Sequence, residues 1–238
     1  MKAKKIILFI VEGITDRTCL GFVLDKLLSN QLVRFAITGG DITTKTGNNT
    51  SNIVAKIGNI IRDFSGNVFT AKDFFEVVHL VDMDGAYISP DKVISSEYDA
   101  PFYTDDNILT NNVEGILRRN RQKVEILNRL IYLKEVRTIP YSVYYFSCNL
   151  DHVIHNHPNL SRREKNQYAD KFEDRFITCP EKFLDFLNNH DFAVEGDYDD
   201  TWSFIKLDKH SLQRFTNFQL YFKRSKNPRN DLEKRLAV

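Results

Sequence analysis

Residues 8–20, "LFIVEGITDRTCL", begin as an unbroken apolar run and change character at an acid, a glycine and a second acid. The full run, "KIILFIV" (5–11), does not alternate with polar residues, so it reads as a strand buried on both faces, the mark of a parallel sheet covered by helices. Beyond Glu12 and Gly13, apolar residues recur at Cys19, Leu20, Val23, Leu24, Leu27 and Leu28, which is helical spacing. A strand therefore turns into a helix, and the junction carries Glu12 and Asp16.

The same alternation continues along the chain. "VRFAIT" followed by Gly39-Gly40 reads as a second strand and turn, "DITTKTGNNTS" as a polar loop, and "NIVAKIGNIIRDF" as a helix. "FFEVVHLVDMDG" (74–85) is a third strand. Residues 86–110, with Pro90 and Pro101 and many aspartates, read as a loop. Val113, Ile116, Leu117, Val124, Leu127, Leu130 and Ile131 then predict one long helix, a helical insertion spanning about 105–137. "YSVYYFS" (141–147) is the fourth strand. Strands separated by helices imply right-handed crossovers, hence an α/β fold with a mainly parallel four-stranded sheet and helices on both faces. From Asn149 the segments "YADKFEDRF", "PEKFLDFLNNH" and "WSFIKL" predict an α-helical C-terminal extension. The expected division is residues 1–148 and 149–238.

Composition narrows the class. With 238 residues and 42% hydrophobic content, the chain can bury one substantial core and a small accessory unit. No run approaches the roughly 18 apolar residues of a membrane span, and the N-terminus reaches Glu12 before completing a signal-peptide core, so a cytoplasmic, membrane-free protein is expected. Cys19, Cys148 and Cys179 lack CxxC spacing and read as buried thiols. The formal charge of +1 conceals an asymmetry: residues 203–238 hold nine Lys/Arg against three Asp/Glu, which leaves −5 on the rest. Lys223, Arg224, Lys226 and Arg229 in this tail, with Arg118 and Arg119 of "RRNRQK" (118–123), are the expected contacts to an anionic polymer such as nucleic acid.

In a parallel sheet, ligands bind beyond the carboxyl ends of the strands, and the acids fall there. Glu12 closes the first strand; Asp82 and Asp84 close the third in "LVDMDGAY". Carboxylates converging from neighbouring strand ends repel one another unless a cation joins them. Mg²⁺, which takes carboxylate oxygens, keeps several waters and binds substrate phosphates, is the simplest such cation. Gly13 and Gly85 permit tight turns beside it. Asp16 has a second reading as a helix N-terminal cap.

"VEGITD" after strand one, Gly-Gly after strand two and "VDMDG" after strand three resemble the Toprim domain, with its glutamate and DxD motif. The acid four residues after the glutamate, Asp16 after Glu12, resembles the OLD-type Toprim nucleases of bacteria and phages. The resemblance covers about residues 5–85, with an echo at "FSCNLDHVI" (146–154) that would make Asp151 a further metal ligand. It implies phosphodiester hydrolysis of DNA or RNA with one or two Mg²⁺ or Mn²⁺ ions. Asp82 and Asp84 with Glu12 would hold the principal ion, and Asp16 and Asp151 would complete a second site. A basic residue beside the leaving oxygen is also implied, for which Lys45 is a candidate. OLD-type Toprim domains often follow an ATPase domain that these 238 residues lack, so an ATPase partner on a separate chain and a role in anti-phage defence or abortive infection are implied.

Two other readings stay open. "VDMDGAY" also resembles the first motif of haloacid-dehalogenase-type phosphatases, with Asp82 as nucleophile, Asp84 as acid/base and "GDYDD" (196–200) as a late acidic motif. A Toprim-like fold without catalysis, kept as a partner-binding module, is the other. The histidines of "DHVIHNH" (151–157) lack zinc-site spacing and read as surface or helix-end residues.

Overall fold

Five strands form the central sheet of the computed structural model, which describes residues 4–223, so that of the basic tail residues Lys223 is described while Arg224, Lys226 and Arg229 lie outside the described residues. β1 (Ile6–Val11) is buried at all six positions and forms the middle of the sheet's parallel part. α1 (Ile14–Leu27) leads to β2 (Leu32–Ile37), which pairs parallel to β1 on one side. α2 (Ile53–Ser65) then returns over the sheet to β3 (Phe74–Asp82), parallel to β1 on its other side. The chain thus reverses its direction of growth between β1 and β3, the switch point at which the carboxyl ends of parallel strands leave a crevice.

Between β3 and the next long strand lies an insertion with its own small sheet. β4 (Val93–Ser95), β5 (Phe102–Tyr103) and β6 (Ile108–Thr110) pair in the order β4-β6-β5, and α3 (Val113–Leu130) follows. The segment read from sequence as a loop is therefore partly sheet, and the helix starts later and ends sooner than the 105–137 expected. β7 (Glu135–Val136) and β8 (Ile139–Phe146) are joined through Arg137 and Thr138, both at positive φ, and pair antiparallel. β8 runs parallel to β3. Four parallel strands were expected; β7 adds a fifth, antiparallel one, making the order β2-β1-β3-β8-β7.

Helices cover both faces. Ile6, Leu8 and Ile10 of β1 meet α2, the second half of α3, and α7 (Tyr198–Ile205). Ile7, Phe9 and Val11 meet α1, α4 (Leu150–His155), α5 (Arg162–Asp174), α6 (Lys182–Leu187) and α8 (Gln219–Lys223). The C-terminal helices thus complete the covering of a sheet that alternates its side chains between two dry faces. Ile88, Val93, Ile108, Ile116 and Leu212 form a third, smaller cluster under the insertion. Cys19 and Cys148 are buried as expected, whereas Cys179 is half-buried. Among the described residues no helix is long and apolar enough to cross a membrane.

Candidate functional site

The local structure of β1's end explains why an acid recurs four residues after Glu12. Gly13 is the N-cap of α1 with extended backbone, and its N–H donates to Asp16 Oδ2 at 2.9 Å, so Asp16 satisfies one of the donors a helix start leaves unpaired. The capping role expected as an alternative for Asp16 is therefore real, and it turns the carboxylate back toward Glu12. At the end of β3, Asp82 Oδ1 accepts the Leu150 N–H at 2.9 Å and ties β3 to the start of α4. Asp84 N–H donates to the Cys148 carbonyl at 2.7 Å, and Gly85 N–H to the Ser211 carbonyl at 3.0 Å. Asp84 and Gly85 both have positive φ. A Cβ on Gly85 would stand 2.6 Å from Leu212 Cδ2, so glycine is needed there on both backbone and steric grounds.

Asp84 is held from the insertion. Lys123 Nζ donates to Asp84 Oδ2 at 2.6 Å and lies 2.9 Å from Asp41 Oδ2, with the lysine side chain 0% exposed. Tyr103 Oη donates to Asp84 Oδ1 at 3.2 Å. Arg119 donates to the Asp84 carbonyl at 2.7 Å and to Tyr103 Oη at 3.0 Å. α3 supplies this because its buried stripe, Ile116, Asn120, Lys123, Ile126, Leu127 and Leu130, changes from polar to apolar along one face. Its polar part meets the strand ends; its apolar part meets the sheet. Asp41 arrives from the loop after β2, where Thr43 donates to it through both backbone N–H and hydroxyl.

On the other side of the crevice, Asp151 on α4 pairs with Lys165 of α5 at 2.8 Å. Glu12, Asp16 and Asp82 line one small pocket, walled by Val11, Leu20, Leu80, Phe146 and Leu150. Burial, and then the charges of Asp41 and Asp82, push Glu12 well above the usual carboxylate range. Burial followed by Asp16 and Asp84 does the same to Asp82. Asp16 is pushed up to about 6, again mainly by burial. Asp41 goes the other way: burial opposes its charge, but Lys123 and the Thr43 hydrogen bonds hold it below its ordinary value. Lys123, despite burial, is held above the ordinary lysine range by Asp41, Asp84 and Glu12.

No family model, curated protein or solved structure matches the chain.

The site must therefore be judged on its own atoms. Glu12, Asp16, Asp82, Asp84 and Asp151, all named from sequence, come to one crevice. Among the described residues no three His, Cys, Asp or Glu side chains converge closely enough to form a ready cage for a metal ion. The donor set nevertheless fits a hard divalent cation. Among the described residues Glu12, Asp16 and Asp82 share a pocket and form no salt bridge, and Mg²⁺ needs only one or two carboxylates when waters and substrate phosphate complete its shell.

Other expected residues fall elsewhere. Arg118 is exposed, consistent in position with an outer contact, but Arg119 is turned inward to Asp84 and Tyr103 and is corrected from polymer contact to site support. Lys45 Nζ is bonded to the Thr38 carbonyl at 2.6 Å, away from Asp84. In "GDYDD", Asp197 and Asp200 form a reciprocal capping box at the start of α7, which accounts for both acids without chemistry. His155 and His157 pack against Tyr168. Asp41, Tyr103, Lys123 and Lys165 were not foreseen. Lys123 left one trace in the sequence, a lysine in phase with Ile116, Asn120 and Leu127 on the buried side of a helix.

Proposed function

We propose that the protein is a divalent-metal-dependent nuclease that hydrolyses nucleic-acid phosphodiester bonds. The observation that carries this reading is the pocket of Glu12, Asp16 and Asp82 at the switch point of the parallel sheet, where three half-buried acids share one cleft and, among the described residues, none forms a salt bridge. These residues would hold Mg²⁺ or Mn²⁺, which when bound lowers the pKa of an attacking water and neutralises charge growing on the phosphate. Asp82 is oriented for this by the Leu150 N–H, and Asp16 by the Gly13 N–H. Leu20, Leu80, Phe146 and Leu150 keep the acids in a low-dielectric wall, which strengthens their hold on a cation. Lys165, with a side chain 36% exposed beside Asp151, is the cation best placed to meet an incoming phosphate oxygen. The resemblance to OLD-type Toprim nucleases supports the same reaction, and extends the proposal to a cytoplasmic anti-phage role with a separate ATPase partner.

One observation favours a second reading. Asp84 and Asp151 each carry a lysine, as they would in a partner-binding module that had replaced metal by internal ion pairs. Incubating the protein with single- and double-stranded DNA and RNA in Mg²⁺, Mn²⁺ or EDTA separates the two. Cleavage that requires metal supports the nuclease. Inertness toward every nucleic acid supports the module, and phosphate release from a phosphomonoester alone would support the phosphatase.

A further inference from the structure

The acids of the crevice fall into groups with different counter-ions, and this determines how many metal ions the site can take. Asp84, the second acid of the DxD turn, has donors on both carboxylate oxygens: Lys123 Nζ at 2.6 Å on Oδ2 and Tyr103 Oη at 3.2 Å on Oδ1. Lys123 cannot swing away to make room. Its side chain is 0% exposed, its ammonium is also 2.9 Å from Asp41, and its helix is pinned by Arg119 to the Asp84 carbonyl. A divalent ion on Asp84 would stand next to a fixed ammonium that is itself shielded from water, so the two like charges would repel with little screening. Asp151, the other acid a second ion would need, carries Lys165 at 2.8 Å. Glu12, Asp16 and Asp82 share a pocket and, among the described residues, form no salt bridge, Lys123 and Lys165 acting on them only through their charge.

We infer that Lys123 is the resident cation at Asp84, so that Asp84 is not a metal ligand and the site takes a single divalent ion on one or two carboxylates of the Glu12, Asp16 and Asp82 pocket with waters completing its shell, a buried lysine standing in place of a second metal. This inference rests on the metal-dependent reading. It assigns Asp84 and Asp41 to a different task, holding the Lys123 ammonium at the edge of the crevice, where it adds positive charge beside the ion without exchanging with solvent. Lys123 is thus a positioning residue for Asp84, and the DxD turn is shared between a metal and a side chain.

The test is to count Mn²⁺ ions bound to the metal-free protein by equilibrium dialysis with electron paramagnetic resonance, for wild type, E12Q, D82N, D84N and K123M, after circular dichroism has shown each to be folded. One ion per chain is expected in wild type. D84N should bind Mn²⁺ within about threefold of wild type, whereas D82N and E12Q should each weaken it by more than about tenfold. K123M, if it folds, should gain a second ion between the released Asp41 and Asp84; if it does not fold, D84N against D82N still decides. Two ions in wild type, or a loss in D84N as large as that in D82N, would overturn the inference and leave the metal-dependent reading standing. Absence of any bound ion at millimolar Mn²⁺ would overturn both.

Discussion

Glu12, at the end of β1, and Asp41, in the loop after the neighbouring β2, are both acids of one crevice, yet their environments drive them in opposite directions. Asp41 lies on the Lys123 ammonium and is held below its ordinary pKa; Glu12, half-buried and desolvated beside Asp41 and Asp82, is pushed well above its own. The difference comes from Thr43 in Asp41's own loop and from the insertion between β3 and β8, whose Lys123 bonds Asp41 and Asp84 directly but reaches Glu12 only through its charge. A sheet edge collects carboxylates; what packs over it decides which become structural and which stay available for a ligand.

The largest expected effect is on the compensated end. K123M leaves Asp41 and Asp84 with their hydrogen bonds from Thr43 and Tyr103 but without their cation, and breaking a buried pair from one side costs about 3–5 kcal/mol, measurable by urea unfolding. K165M removes a half-exposed partner of Asp151 and should cost no more than about 1 kcal/mol. Equal losses from the two variants would erase the distinction between the ends.

Next in size is the pH dependence without metal. Glu12, Asp16 and Asp82 bind protons more tightly folded than unfolded, so the stability they contribute is complete below their unfolded pKa and is lost as pH rises. For Asp16 this loss runs from about 4 up to about 6. Asp41 has the opposite sign: its contribution is present above about 4 and is lost as pH falls through its depressed folded value. D82N should therefore raise the metal-free melting temperature at pH 7.5 and leave it unchanged at pH 4. Saturating Mn²⁺ should abolish the advantage by stabilising wild type alone. A D82N protein less stable than wild type at pH 7.5 without metal would contradict the uncompensated charge.

Smaller still is Y103F, which removes the hydroxyl's bond to Asp84 and the one it accepts from Arg119 while leaving Lys123 in place, and should cost about 1–3 kcal/mol in urea unfolding. The smallest effect is on binding. Neutralising exposed Arg118 and Lys223 should flatten the slope of log affinity against log salt by about 0.7–0.9 for each phosphate that is no longer neutralised. An unchanged slope would make them ordinary solvated residues.

How far the sequence discloses this arrangement depends on how local each cause is. β1, β3 and β8 were legible because burial on both faces leaves continuous apolar runs, and Glu12, Asp82 and Asp84 because acids at the ends of such runs have few structural uses. β7 and the small sheet β4-β6-β5 were not, since strands of two or three residues carry no period and are held by the elements they pack on. Asp41 was hidden in a polar loop, its role set by a lysine 82 positions away that only the tertiary fold brings to it. Arg119 and Lys123 were read with the "RRNRQK" run as one basic cluster. The helix divides that run, sending Arg118 and Arg121 outward and Asn120 and Lys123 in.

If the acids of the Glu12, Asp16 and Asp82 pocket are a metal-dependent hydrolytic centre, cleavage must depend on both the metal and Asp82. The most direct measurement is the rate of nucleic-acid cleavage by wild type and D82N, prepared identically, in Mg²⁺ and in EDTA. The account predicts cleavage by wild type in Mg²⁺ only, and a D82N rate lower by about a hundredfold or more with its fold intact. Wild-type cleavage in EDTA, or a D82N rate matching wild type in Mg²⁺, would contradict it.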